Sequence, residues 1–283
     1  MAALRSVVAL LLVALTTSVV AEESEWRFEN WGGPSFPVSM FVPDDAGPES
    51  KIVIVMHGAS RDAKRYFSDW KAQGEELGLI VVVPEFSKRD FRGSDRYNLG
   101  YVFEPDTNTQ RDEELWTFAA IEPLFDEVVA RVSGRQSSYA LYGHSAGSQF
   151  VHRYLYYMPN ARVSRYIAAN AGWYTLPVME FRYPYGMKKS GLGDAELPGI
   201  FAKSLIILLG REDTDPDAKS LRHTPEAEQQ GPNRLARGLT MYRVAKARAE
   251  ELGVPFNWQL FLVKDADHDN AKMAPVAAAV AAQ

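Results

Sequence analysis

The sequence GHSAG at residues 143–147 constrains the fold more than any other part of the chain. It matches the pattern Gly-x-Ser-x-Gly. Residues 138–142 before it are apolar and β-prone, and residues 148–158 after it carry apolar side chains at helical spacing. A serine in a sharp turn between a strand and a helix forms a nucleophile elbow. Because such a serine is strained, we expect side chains at Gly143 and Gly147 to collide with the neighbouring strand and helix.

Predicted strands alternate with predicted helices along the rest of the chain. The predicted strands span residues 26–30, 37–42, 51–56, 79–83, 138–142, 163–168, 204–209 and 257–263, and the predicted helices span residues 62–76, 113–132, 148–158, 233–252 and 270–282. This order predicts an α/β fold, with a mostly parallel central sheet and helices on both faces. Residues 88–110 are predicted to be a loop, and residues 174–199, rich in Pro and Gly, a lid or a substrate wall.

Composition narrows the class of protein. The chain has 283 residues, 46% of them hydrophobic, which suits a single catalytic domain at residues 22–283. A formal net charge of -5 without a basic run argues against nucleic acid as a partner. Without cysteine there is no disulfide and no thiolate site. No metal-ligand spacing or phosphate-binding glycine loop occurs, so we expect neither a metal nor a cofactor.

The first residues resemble an export signal. Arg5 precedes an apolar run at residues 7–15, which is too short to span a bilayer, and small residues follow at residues 19–21. We expect a signal peptide at residues 1–21, cleaved after Ala21, and hence a periplasmic or extracellular protein with no membrane span. The alternative is an uncleaved N-terminal anchor.

A serine nucleophile needs a histidine as its base. His268 follows the last predicted strand, where this architecture places that histidine. His223 lies in a polar stretch and is the alternative. His144, inside the elbow, is expected to point away from the base, and His152 to pack on its helix. His57 ends an earlier strand.

The histidine in turn needs a carboxylate that fixes its tautomer. Asp213 lies in the tight turn after the strand at residues 204–209, so the chain order is serine, aspartate, histidine. Asp215, Glu212 and Asp217 lie in the same acidic turn and remain alternatives.

Two backbone N–H groups must bind the negative oxygen of a tetrahedral intermediate. One is expected from Ala146, directly after the serine. Gly58 lets the chain turn after the strand at residues 51–56, so the second is expected from Ala59, with Ser60 as the alternative. A simple strand-ending turn would explain the same sequence.

These motifs resemble those of the α/β-hydrolase superfamily, within it the secreted branch of polyhydroxybutyrate-depolymerase-like and feruloyl-esterase-like enzymes. They are HG at residues 57–58, GHSAG at residues 143–147, Gly210-x-x-Asp213, and DHD at residues 267–269. The resemblance implies Ser145 as nucleophile, His268 as general base and acid, and Asp213 as the orienting carboxylate.

The predicted reaction is hydrolysis of a small or oligomeric carboxylic ester through an acyl-enzyme. The chain lacks the cysteines of many secreted depolymerases and a separate substrate-binding domain, which favours a soluble ester. Trp173 and Tyr174, after the strand that follows the elbow, are expected to line the substrate site, with ordinary packing as the alternative. The alternative functions are a serine peptidase or amidase, and a non-catalytic binding protein.

Overall fold

The computed structural model describes residues 21–283, so the predicted export signal lies outside the described residues except for Ala21. The strands are β1 (Glu22–Phe28), β2 (Phe36–Val42), β3 (Ile52–Met56), β4 (Ile80–Pro84), β5 (Tyr139–His144), β6 (Val163–Ala169), β7 (Leu205–Gly210) and β8 (Gln259–Val263). The helices are α1 (Ala63–Leu77), α2 (Ile121–Arg131), α3 (Ala146–Tyr157), α4 (Leu197–Ala202), α5 (Pro225–Glu228), α6 (Arg234–Leu252) and α7 (Asn270–Ala281).

All eight strands join one sheet in the order β1-β2-β4-β3-β5-β6-β7-β8. β1 pairs with β2 and β2 with β4 in antiparallel fashion, and the remaining neighbours are parallel. β3, β4, β5 and β7 are buried at every position because helices cover both faces. The predicted fold class, a mostly parallel α/β sheet, is confirmed.

The two faces of the sheet pack into separate hydrophobic clusters. Ile52, Ile54 and Met56 of β3 point into one cluster, and Val53 and Val55 into the other. This alternation is the side-chain period of a strand with apolar layers on both sides. The parallel strands therefore stand in a rigid scaffold whose carboxyl ends lie along one edge.

The helix predicted at residues 113–132 is interrupted. Two short 3-10 helices at Glu113–Leu115 and Thr117–Ala120 precede α2. Trp116 separates them in an extended conformation, with its side chain buried and its indole N–H donated to the Arg111 carbonyl at 2.9 Å. Burial of the large indole therefore overrides the helical pattern of the sequence.

The segment 174–199 folds mainly into turns before α4 begins at Leu197, and several of its side chains are buried. Thr175 donates its hydroxyl to the Pro184 carbonyl at 2.6 Å, and Leu176 N–H to the Tyr185 carbonyl at 2.9 Å. The Tyr183 ring packs against Phe103 in the predicted loop 88–110. Opening of this segment as a lid stays a prediction. Among the described residues, no helix is both long and apolar enough to cross a bilayer.

Candidate active site

Ser145 is held in a conformation that few residues other than glycine adopt. It joins β5 to α3 with φ 59° and ψ −115°. For an L-residue a positive φ carries strain, which persists only where the surroundings impose it. The serine therefore stands at the carboxyl edge of the sheet, with α3 beginning at the next residue.

The two glycines of the motif have no space for a side chain. A Cβ at Gly143 would lie 2.2 Å from the Gly147 carbonyl oxygen, and one at Gly147 would lie 2.0 Å from the Met56 carbonyl oxygen. The first contact is with α3 and the second with β3. The predicted collisions with the helix and the neighbouring strand are therefore found, and they explain why both positions are glycine.

Three predicted residues from distant parts of the chain lie in hydrogen-bond contact. The Ser145 hydroxyl donates to His268 Nε2 at 3.1 Å, and His268 Nδ1 donates to Asp213 Oδ2 at 2.8 Å. Asp213 follows β7, and His268 follows β8. The arrangement can move a proton from the hydroxyl to an imidazole whose tautomer the carboxylate fixes.

Among the acidic residues of the turn after β7, Asp213 is the one that contacts His268. It is 3% exposed. Glu212, Asp215 and Asp217 are exposed to solvent, and Asp215 Oδ1 accepts a hydrogen bond from the Asp217 N–H. Two backbone hydrogen bonds shape the turn so that Asp213 points inward. The Asp213 N–H donates to the Gly210 carbonyl, and the Glu212 N–H donates to the Ala266 carbonyl.

Asn170 connects the turn of the acid to the loop of the histidine, a role that the sequence did not suggest. It is fully buried, with φ 49°. Its Oδ1 accepts the Gly210 N–H at 2.8 Å, and its Nδ2 donates to the Asp267 carbonyl at 3.0 Å. One amide side chain thus holds the backbones on both sides of the Asp213–His268 contact.

His144 was predicted to point away from the position of the base. Instead its ring packs beside that of His268. The rings of His144 and His268 have centroids 4.6 Å apart, and the Tyr66 hydroxyl bonds His144 Nδ1 at 2.9 Å. Burial, and to a smaller extent the charges of His268 and nearby arginines, lower the pKa of His144 well below its usual range. A neutral ring therefore forms one wall beside His268.

His57 anchors the loop that passes over the serine. Burial lowers its pKa to about 3, and its neutral Nε2 accepts the Phe86 N–H at 3.1 Å. The Tyr97 hydroxyl donates to the His57 carbonyl at 2.7 Å. These bonds hold the neighbouring Gly58 close to Ser145, where a Cβ on Gly58 would lie 3.6 Å from the serine Cβ.

The two predicted oxyanion donors belong to different elements, one to α3 and the other to the loop after β3. Ala146 is the first residue of α3, so its N–H has no acceptor within the helix. Ala59 follows Gly58 in the loop after β3 and is exposed, as is Ser60. That Ala59, or alternatively Ser60, supplies the second donor stays a prediction.

The two predicted substrate-binding aromatic residues are both buried. Tyr174 is 0% exposed and its backbone pairs with the Gln230 side chain through two bonds of 2.8 Å. Tyr174 therefore packs in the core, and its contact with a substrate stays a prediction. Trp173 is 3% exposed, and the guanidinium groups of Arg153 and Arg222 lie over its ring at 4.2 and 4.6 Å.

Buried arginines surround the carboxyl edge of β6 and β7, and the sequence analysis missed all of them. Arg153, Arg234 and Arg237 are at most 1% exposed. Arg237 bonds the carbonyls of Gly172 and Gly231, at 2.6 and 2.8 Å. Arg234 bonds Asp213. Each of the three lies in a predicted helix among mostly apolar neighbours, and this pattern is the signal that could have found them.

Two solved structures resemble the whole described chain. Poly(aspartic acid) hydrolase-1 from Sphingomonas sp. KT-1 is 41% identical, with a TM-score of 0.89 over 92% of this chain and 98% of that one. LpqC, a poly(3-hydroxybutyrate) depolymerase from Bordetella parapertussis, is 31% identical, with a TM-score of 0.86 over 92% of this chain and 89% of that one.

A more distant structure shares the fold alone. S-formylglutathione hydrolase from Agrobacterium tumefaciens is 13% identical, with a TM-score of 0.58 over 95% of this chain and 96% of that one. No protein-family model matches the chain, and no curated protein sequence matches it.

Proposed function

The chain belongs to the α/β-hydrolase superfamily, in its depolymerase-like branch, and from that premise we propose that it is an exported serine hydrolase of carboxylic esters. In this proposal Ser145 attacks the ester carbonyl while His268 takes the hydroxyl proton and Asp213 stabilises the imidazolium. His268 then protonates the leaving alcohol. Water, activated by the same imidazole, releases the acid and restores the serine.

The observation that carries the proposal is the unbroken hydrogen-bond chain from Ser145 through His268 to Asp213, at 3.1 and 2.8 Å. It starts at a strained serine and ends at a buried carboxylate. The N–H groups of Ala146 and Ala59 are proposed as the oxyanion donors; the loss of one such donor costs about 3 kcal/mol of transition-state stabilisation.

A fluorophosphonate probe tests the nucleophile without knowledge of the substrate. We expect intact-mass spectrometry to find one adduct on the wild type and none on Ser145→Ala. Ser164→Ala is the matched control, because Ser164 lies in β6 near its opposite end and bonds only the Tyr139 carbonyl. No adduct on a folded wild type would contradict the proposal and favour a non-catalytic binding protein.

Hydrolysis of amides is a second candidate, because the 41% identical relative is named as a poly(aspartic acid) hydrolase. The same triad serves, provided that His268 protonates an amine leaving group. Ester and amide substrates with the same acyl group decide between the two. We expect kcat/KM to be higher for the ester. A kcat/KM for poly(aspartic acid) that exceeds those of a graded series of esters would instead identify the amide as the physiological bond.

Export rests on residues 1–21 and is part of the proposal. Mass spectrometry of the protein recovered from the periplasm or medium should find Glu22 at the N-terminus. If the recovered chain still carries Met1, residues 1–21 are an uncleaved anchor and not a signal peptide.

A further inference from the structure

We propose that Arg234 is a positioning residue for Asp213, and that its charge lowers the pH at which the Asp213–His268 pair takes up a proton. The inference rests on the proposed function, since it assigns a role within the same triad. It concerns Asp213 Oδ1, the carboxylate oxygen that does not bond His268.

Both carboxylate oxygens of Asp213 are engaged by different partners. Oδ2 accepts from His268 at 2.8 Å, and Oδ1 accepts from Arg234 Nη1 at 3.3 Å. The side chains of Asp213 and Arg234 are 3% and 1% exposed, so water does not screen the pair. A carboxylate held at both oxygens cannot rotate away from the imidazole.

Arg234 is itself anchored. Its Nη2 donates to the Ser220 hydroxyl at 2.9 Å. It is the first residue of α6, which the side chain of Asn233 caps by accepting the Ala236 N–H at 2.9 Å. The next residue, Leu235, donates its N–H to the Asp213 carbonyl at 3.2 Å. The start of α6 thus holds both the backbone and the side chain of the acid.

The electrostatic effect has a definite sign. A guanidinium that shares the carboxylate lowers the negative potential at His268, so it disfavours the protonated imidazole. Removal of that charge must raise the proton affinity of the Asp213–His268 pair, whichever of the two groups holds the proton. Since the reaction needs the unprotonated base, the acidic limb of the activity profile must then move to higher pH.

Other titratable groups near the pair remain in place when Arg234 is changed. The neutral ring of His144 packs on His268 from β5, and Arg237 faces Arg234 from the next turn of α6. Tyr174 lies near Asp213 from the segment after β6. On the histidine loop, Asp267 and Asp269 are each paired with a cation, Lys272 and Arg65 respectively.

The rate of fluorophosphonate labelling, measured from pH 4 to 9, tests both parts of the proposal. We expect Arg234→Gln to move the acidic limb upward by about one pH unit. Arg234→Lys keeps the charge and loses the planar fork, so its limb should stay near that of the wild type while its plateau rate falls about 10-fold or more. Arg243→Gln removes one exposed arginine from the same helix and should change neither quantity.

The outcomes separate this inference from the proposed function. A wild type that is not labelled contradicts the function itself. If the wild type is labelled and its acidic limb coincides with that of Arg234→Gln, the electrostatic role alone is overturned. An Arg234→Lys variant that labels at the wild-type plateau rate overturns the positioning role, even where Arg234→Gln does not fold.

Discussion

The imidazole rings of His144 and His268 pack against each other in a tilted arrangement, with centroids 4.6 Å apart and planes inclined by 35°. Two imidazolium ions at this distance would repel each other, and His144 is buried with its pKa well below the usual range. His144 therefore stays neutral. The Tyr66 hydroxyl, bonded to His144 Nδ1 at 2.9 Å, holds the neutral ring in place.

Tyr66→Phe should slow labelling of Ser145 by a few-fold and lower the free energy of unfolding by about 1 kcal/mol. The His144 ring loses its partner and no longer confines His268. Tyr156→Phe is the control, since it removes a buried hydroxyl that bonds the Thr175 carbonyl at 3.0 Å. Denaturant titration should find a similar loss of stability in both variants. Equal labelling rates in the two would contradict the role of His144 as a wall.

Asn170→Ala should reduce kcat more than KM. It removes two hydrogen bonds that tie Gly210 to Asp267, so the turn of Asp213 and the loop of His268 can move apart. A displacement of about 1 Å costs about 100-fold in rate. Steady-state kinetics on an activated ester measures kcat and KM separately. Asn257→Ala also loses a side-chain bond to a carbonyl, that of Ala202, and should retain wild-type kcat.

Asp213→Asn should lower kcat about 10⁴-fold, because an amide cannot hold His268 in the required tautomer or stabilise its charge. Asp215→Asn changes an exposed carboxylate two residues away and should leave kcat unchanged. The comparison uses initial rates at saturating substrate. Inactivation by the change at residue 215 alone would move the acid of the triad to that position.

Buried neutral histidines make stability depend on pH. Burial lowers the pKa of His57 to about 3 and the pKa values of His144 and His152 well below the usual range. Below about pH 6.5 the unfolded chain binds protons that the folded chain refuses, so stability falls as the pH falls. Between pH 7 and 5 the unfolding free energy should drop by about 2 kcal/mol for each such histidine.

Denaturant titrations at several pH values check this dependence. His152→Gln should lower the pH slope of the unfolding free energy by about one proton. His223→Gln, at a histidine whose side chain is 51% exposed, is the matched control for the loss of an imidazole. A wild-type protein with equal stability at pH 7 and pH 5 would contradict the burial of neutral imidazoles.

The sequence by itself determined the strand order along the chain and the fold class. These features are local, because a run such as residues 51–56 or 204–209 carries its own periodicity and burial preference. The elbow was equally readable, since Gly143 and Gly147 answer steric demands made by elements directly adjacent to Ser145. Local chemistry and local pattern suffice for such predictions.

Only the tertiary structure decided which side chains meet. His268 lies 55 residues from Asp213 and 123 from Ser145, and an acidic turn gives no local sign of which carboxylate faces inward. The same reason explains why the roles of Arg234 and Asn170 were unforeseen. Burial and hydrogen bonding of these residues depend on elements far away in the sequence, so their roles emerge only when the sheet brings the loops at its carboxyl edge together.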